Sequence, residues 1–300
     1  MSTISMAHLT KTYGSLRAVD DVSIDVPSGS VFGLLGPNGA GKTTTFKCLL
    51  GLARPTSGRV SFDGAPLMAE TFERIAYVPE RSVLYEWMTA GEHLEMQRRS
   101  FSRFKPLRAK ELMDLFSLDS RKRVRAMSKG MRTALAVVLA FSIEPEIMVL
   151  DEPTSGLDPI NQRSVLRLII QAAARGTTTV LSSHQIGQVE RAADHIAVLR
   201  DGRVTLSGAV DDLKAGHKIV EGIFESDRFS LNGFASDARV VRVEKTGRIL
   251  RLTVRSDGDE IARALSGMGA LSVRVVDLNL EDIFLNAVDA GSPVDVVEGS

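Results

Sequence analysis

The stretch Val31-Phe-Gly-Leu-Leu-Gly-Pro-Asn-Gly-Ala-Gly-Lys-Thr-Thr44 decides the fold of this chain. Its first five residues are almost wholly apolar, the pattern of a strand buried on both faces. Gly36, Pro37, Asn38, Gly39, Ala40, Gly41, Lys42 and Thr43 then satisfy the phosphate-loop pattern G-x-x-x-x-G-K-[ST], and Thr44 continues into a helix expected over 42–50. Each residue type has a physical task. The glycines let the backbone turn tightly and aim N–H groups at anionic oxygens. The helix that follows adds the positive end of its dipole. Lys42 supplies a mobile cation for β and γ phosphates, and the Thr43 hydroxyl suits Mg²⁺. Such a pattern arises by accident in roughly one chain in a hundred of this length, and an apolar strand leading in with a helix leading out makes accident rarer still.

Strands and helices alternate around this loop. Strands are expected over 4–9, 19–26, 60–62, 75–78, 147–150 and 177–181, and helices over 129–141, 159–175 and 185–193. Asp201-Gly202 marks a hairpin between 196–199 and 203–206. This is an α/β order, with a largely parallel sheet covered on both faces. Residues 82–127 break the alternation with helical patterns and read as a helical insert. Beyond Gly216 come two strands about Thr246-Gly247, a helix, a strand and a final helix, a small α+β unit. The expected division is 1–215, 216–290 and a loose tail, 291–300.

Ligands of open α/β sheets bind beyond the carboxyl ends of the strands. Three further polar groups fall at such ends: Asp151-Glu152, Ser182-Ser-His184 and Pro79-Glu80. Asp151 can hold Mg²⁺ directly or through water, Glu152 can orient or deprotonate an attacking water, and His184 can touch a γ-phosphate. Alone, a histidine such as His184 is more often structural, and an acid pair in a loop is as often solvated as functional. Their shared position at strand ends favours function.

Composition sets limits. The chain has 300 residues, 44% hydrophobic and 25% charged, with 37 basic against 37 acidic side chains. That balance lacks the basic excess of a general nucleic-acid binder, so no nucleic acid is expected as a partner. The single cysteine, Cys48, reads as a small core residue. The segment MSTISMAHLTKTYG has no basic run followed by an apolar one, so no signal peptide is expected. The longest apolar run, 134–141 with Ile143 beyond, is too short to cross a bilayer.

At Met127-Ser128-Lys129-Gly130-Met131 the motif set becomes that of a family. The chain resembles, over about residues 1–215, the nucleotide-binding subunits of ATP-binding-cassette (ABC) transporters. Tyr13 in KTYG matches the aromatic that stacks on adenine. Glu80 stands where the family has glutamine. Ser128 to Met131 stand where the family signature belongs, and the segment IMVLDE, 147–152, carries the magnesium aspartate and catalytic glutamate. Ser155, Gly156, Leu157 and Asp158 match the loop that crosses the dimer interface, and His184 the switch histidine. The segment LNLEDIFLNAV, 278–288, is similar to one that ends many bacterial export-type subunits, including those of antibiotic resistance. As bare sequence it is an amphipathic helix with Leu280, Ile283, Phe284 and Ala287 on one face.

The resemblance implies a P-loop NTPase cassette with an antiparallel β subdomain and a helical insert, plus a small C-terminal α+β domain. It implies ATP and Mg²⁺, with Lys42, Glu152 and His184 catalytic and Thr43, Glu80 and Asp151 toward the metal. It implies a second cassette, an identical chain in the simplest case, whose ATP meets the helix end capped by Ser128. It also implies a separate membrane permease that docks on the helical insert near Leu84, Tyr85, Trp87 and Met88, and hence a place on the cytoplasmic face of the cell membrane. Three residues depart from the family pattern. Glu80 adds a negative charge near phosphates, and Met131 replaces a glutamine. Lys129 replaces a glycine and is expected to attract the partner's nucleotide. The alternative is a soluble cassette ATPase with a regulatory, nucleic-acid or ribosome-linked role. DNA-repair members of that kind carry long coiled coils and translation-associated members carry two cassettes. A non-hydrolysing regulatory module would not need Lys42, Asp151, Glu152 and His184 intact.

Overall fold

The computed structural model describes residues 3–81, 83–229, 233–234, 237–255, 258–289 and 296–299. Ser82, the expected start of the insert, and residues 291–295 and 300 of the expected tail lie outside the described residues. The chain forms two compact units, Met1–Ser207 and Gly208–Ser300.

The first unit opens with β1 (Ile4–Tyr13) and β2 (Leu16–Val26), followed by the buried strand β3 (Val31–Leu35) and helix α1 (Lys42–Leu49). Then come β4 (Ser57–Phe62), a single-turn helix α2 (Ala69–Phe72) and β5 (Ile75–Val78). The insert holds α3 (Ala90–Ser100) and α4 (Pro106–Leu115), and a 3-10 turn at Val124–Ala126 leads to α5 (Lys129–Phe141). The rest is β6 (Ile147–Asp151), α6 (Pro159–Ala173), β7 (Thr178–Ser182), α7 (Ile186–Ala192), β8 (His195–Arg200) and β9 (Arg203–Ala209).

Two sheets result. A three-stranded sheet has the order β2-β1-β4, with antiparallel pairing throughout. A six-stranded sheet has the order β5-β6-β7-β3-β8-β9, and β5-β6, β6-β7, β7-β3 and β3-β8 are parallel. Strand alternation explains why β3 is apolar throughout. Phe32 and Leu34 join Phe46 and Leu49 of α1, and Met6, Val19 and Ile24 of the antiparallel sheet, in one core. Gly33 points the other way, where a Cβ would stand 2.4 Å from Val189 of α7. Both faces are thus covered, as a parallel sheet requires.

The helix ends follow local chemistry. Thr89 caps α3 in a reciprocal box with Glu92, and Asp158 caps α6 just ahead of Pro159. Between α3 and the 3-10 turn one strand-like bridge joins Thr89 and Arg123.

The second unit holds α8 (Val210–Ala215), β10 (Lys218–Ile223), β11 (Val240–Thr246), β12 (Ile249–Val254), α9 (Asp259–Gly267), β13 (Ser272–Asp277), α10 (Leu280–Asp289) and β14 (Val296–Gly299). Its sheet has the order β13-β10-β12-β11-β14, and α9 covers β10 and β13. Leu280, Ile283 and Ala287 are buried on one face of α10.

Two expectations need correction here. The division falls between Ser207 and Gly208, not near Gly216, because α8 packs against α10 of the second unit. Residues 296–299 are not loose: they pair in parallel with β11, a long-range contact that no local pattern announces. Strand β10 was also missed, because KIVEGI alternates weakly and contains Gly222.

Phe46 has no exposed surface and sits where α1 meets both sheets. Phe46→Ala is expected to destabilise the first unit by about 3–5 kcal/mol, read as a lower urea midpoint for the transition that reports that unit.

Candidate functional site

The loop between β3 and α1 has two backbone positions that only glycine satisfies. Gly36 has φ 153° and Gly41 has φ 106°. A Cβ on Gly36 would lie 2.4 Å from the Leu199 carbonyl oxygen, and one on Gly41 would lie 2.4 Å from that of Ala18. Lys42 closes the loop on itself: its Nζ donates to the Gly36 oxygen at 2.7 Å and to the Pro37 oxygen at 3.1 Å. Burial lowers its pKa, while the carboxylates of Glu152, Asp151 and Glu80 oppose that shift. The ammonium is therefore desolvated and held by carbonyls, ready to exchange them for phosphate oxygens.

Two strand ends lie beside this loop. Asp151 ends β6 and Ser182 ends β7, and the two are paired in register. Asp151 Oδ2 accepts from the Thr43 hydroxyl at 2.8 Å, and its Oδ1 accepts from the Ser182 hydroxyl at 2.5 Å. The Glu152 N–H donates to both the oxygen and the Oγ of Ser182, at 3.2 and 3.1 Å. Ser182 thus fixes both acids at once.

Glu152 holds φ 53°, a left-handed conformation that costs a non-glycine residue on the order of 1–3 kcal/mol. The surrounding bonds impose it, and its carboxylate meets His184, with Nδ1 to Oε2 2.8 Å. Burial raises the Glu152 pKa, and His184 and Lys42 pull against that rise. A carboxylate with a raised pKa at a strand end is a suitable general base. Tyr77 of β5 stands behind the acids. Burial first, then the charges of Asp151 and Glu80, push its hydroxyl up to about 12, so it stays a neutral phenol.

The phosphate loop, the two acids and His184 line one open cleft of about 730 Å³. Asn38 to Thr44, Glu80, Asp151, Glu152 and His184 all border it, with Leu16 and Ala18 of β2 on another side. Gly36 and Pro37 lie beneath, as acceptors for Lys42.

Tyr13 does not border the cleft. It is half-exposed at the end of β1, with Lys11 Nζ 4.7 Å from its ring centroid. Leu16 and Ala18, which do border the cleft, carry no sequence mark that sets them apart from other strand residues.

The signature residues begin α5. Ser128 caps it, its Oγ accepting from the Met131 N–H at 3.2 Å. Asp158 is committed to capping α6, accepting from the N–H groups of Ile160 and Asn161. Gly130 has a cause within the chain for being glycine: a Cβ there would stand 2.4 Å from the Gly156 oxygen. Lys129, expected to reach toward a partner's nucleotide, donates instead to Ser155 Oγ of its own chain at 2.8 Å. Sequence reasoning also missed Ser182 as the organiser of the acids. The only local signal was a serine at a strand end beside another acid-bearing strand.

For a divalent cation the donor set is all oxygen: the Thr43 hydroxyl already on Asp151, with Glu80 on the same cleft. Among the described residues no group of three or more His, Cys, Asp or Glu is gathered as a ready-made cage. That fits Mg²⁺, which takes one or two carboxylates and completes its shell with water and substrate phosphates.

A phosphate loop closed on its lysine, beside an aspartate and a glutamate that follow one another at the end of β6, defines a P-loop ATPase. The ABC transporter family model matches residues 19–155. The bacitracin transport ATP-binding protein BcrA of Bacillus licheniformis is 32% identical over 314 residues, covering 97% of this chain and 99% of that protein. The daunorubicin resistance ATP-binding protein DrrA3 of Streptomyces coeruleorubidus is 33% identical over 292 residues, covering 92% of each. A solved structure described as the ATP binding subunit of an ABC transporter is 32% identical, with TM-score 0.65 over 70% of this chain and 91% of that one. The chain belongs to the family of ABC transporter ATP-binding subunits, and one relative, 33% identical over 293 residues and covering 94% of this chain and 85% of that protein, is the Nod factor export ATP-binding protein I of Mesorhizobium japonicum. ATP hydrolysis is the characteristic activity of that family.

Gly41→Ala is expected to lose about 1–3 kcal/mol from the positive φ alone, and more from the contact with Ala18. Thermal unfolding with and without ATP checks this: the melting temperature falls, and the stabilisation by ATP largely disappears.

Proposed function

We propose that this chain works as one half of a pair of cassettes, an identical chain being the second, and drives export through a separate membrane permease. The observation that carries the chemistry is the Glu152–His184 pair at 2.8 Å, standing across one cleft from Lys42. Glu152 takes the proton of the attacking water, and His184 holds the carboxylate in place and faces the γ-phosphate. Lys42 leaves the Gly36 and Pro37 carbonyls for the β and γ phosphates. Thr43 and Asp151, with Glu80 nearby, would hold Mg²⁺, which would neutralise charge on the phosphates.

A second cassette is supported by the start of α5. The Ser128-capped end of α5 is an anion-attracting helix terminus. ATP bound between the two chains would then be gripped from both sides, and hydrolysis would release the grip. Differential affinity of this kind converts turnover into motion.

A membrane partner is supported by one face of the insert. Val83, Tyr85 and Trp87 are exposed, and the Tyr85 and Trp87 rings stand 4.9 Å apart. Beside them lies an apolar groove of about 320 Å³ lined by Tyr77, Met96, Phe101 and Leu139. His93 shapes this face: its Nε2 accepts from the Tyr85 N–H at 3.0 Å, and its Nδ1 lies 2.9 Å from the Thr89 oxygen. Among the described residues no helix is long and apolar enough to cross a membrane; in this reading the partner provides the transmembrane path. The export direction rests on the relatives named for antibiotic transport and resistance. Residence on the cytoplasmic face of the membrane follows from docking there.

Glu152→Gln is expected to keep ATP binding, to accumulate an ATP-dependent dimer in size-exclusion chromatography, and to slow turnover about 10²–10⁴-fold. Turnover at the wild-type rate would remove Glu152 from the role of base. Lys42→Ala is expected instead to weaken nucleotide binding itself, measured by titration calorimetry. The pH profile has a definite sign. The base must be ionised and its pKa is raised, so the acid limb of kcat lies above the ordinary glutamate range. Co-purification with a multi-span membrane protein encoded beside this chain tests the transport assignment.

A further inference from the structure

The first turn of α5 and the loop Ser155–Asp158 are bound together more tightly than a signature helix that only faces outward would need. Lys129 Nζ donates to Ser155 Oγ at 2.8 Å. Thr133 Oγ1 donates to the Ser155 carbonyl oxygen at 3.0 Å. The stem of Lys129 lies over Gly156, where a Cβ would meet its Cγ and Cδ at 3.0 and 3.1 Å. Gly130 comes so close to the Gly156 oxygen that a Cβ would stand 2.4 Å from it. Two glycines, one on each segment, make that approach possible.

The loop in turn holds the catalytic acid. The Ser155 N–H donates to the Glu152 oxygen at 3.0 Å, and the Leu157 N–H to the Thr154 oxygen at 3.2 Å. Thr154 Oγ1 is tied to Gln188 Oε1 of α7 at 2.7 Å. Glu152 sits at φ 53°, a backbone state that persists only where neighbours enforce it. Ser155 closes the turn that begins at this strained residue. Lys129 also borders the same cleft as Lys42, Glu152 and His184.

We infer that Lys129 is a positioning residue for ATP hydrolysis. By holding Ser155 it locks the Ser155–Asp158 loop to α5 and so braces the backbone of Glu152 in the same chain. Its assignment to hydrolysis rests on Glu152 being the base; the brace itself does not. The lysine stem can do this because it is long enough to cross Gly156 and still present its donor to the serine. A glycine at position 129 has neither stem nor donor.

The test separates the brace from a direct pull on nucleotide. Lys129→Met keeps the stem and removes the donors, Ser155→Ala removes the acceptor, and Lys129→Arg restores a donor. In the nucleotide-free full chain, hydrogen exchange is followed by mass spectrometry for peptides spanning 152–158. Lys129→Met and Ser155→Ala are each expected to speed exchange of that segment about threefold to tenfold. The double variant should go no further than the larger single change, and Lys129→Arg should exchange like wild type. In ATPase assays Lys129→Met is expected to lower kcat severalfold and leave KM for ATP in place.

Unchanged exchange in Lys129→Met, or additive effects in the double variant, would overturn the brace. So would a rise in KM with kcat unchanged, which assigns Lys129 to nucleotide attraction. Because exchange in the nucleotide-free chain needs neither turnover nor a second cassette, it stands apart from the proposed function. If Glu152→Gln hydrolyses ATP normally while the exchange pattern holds, the error lies in the assignment of the base and not in the brace.

Discussion

The parallel register of β6 against β7 is the constraint on which the site depends. It sets Asp151 beside Ser182, and one serine hydroxyl then serves both acids, donating to Asp151 and accepting from the Glu152 N–H. A slip of one residue would turn these side chains to the other face of the sheet. The register is secured by a core apolar on both faces: Ile147 and Val149 toward α1 with Met148 and Leu150 buried opposite. Ordinary hydrophobic packing therefore holds charged groups in place that would otherwise be costly to bury.

The second organising feature is closure of the phosphate loop on its own lysine. A buried ammonium needs acceptors, and the Gly36 and Pro37 carbonyls provide them at 2.7 and 3.1 Å. These bonds brace the loop from within the chain. The Thr43–Asp151 bond ties α1 to the end of β6 in the same way. A charged, strained and partly desolvated site is thus stabilised by hydrogen bonds of the chain itself.

Departures from the family pattern take on different weights in this setting. Lys129 has an identified partner, Ser155, and belongs to the contact between α5 and the loop. Met131 is engaged by the Lys122 ammonium at its sulfur, 3.5 Å away, and its N–H serves the Ser128 cap. Glu80 faces the cleft and opposes the lowering of the Lys42 pKa, so its extra charge acts on that lysine.

Much of this protein was legible from residue order alone, wherever chemistry is local. The strand–loop–helix about Gly36 to Thr43, the acids closing β6 and the Ser128 cap depend on neighbours within a few residues, and their patterns determine them. What only the tertiary structure decided involves partners distant in sequence. Ser182 acquires its role from a strand 31 positions away, and Lys129 acquires Ser155 from another loop. Gly130 is glycine partly because Gly156 passes beside it. Strand β14 exists through pairing with β11, and α8 belongs to the second unit through α10. The physical reason is common to all of these. Periodicity and capping are energies of adjacent residues, whereas register, close backbone approach and shared hydrogen bonds exist only once the chain has folded back on itself.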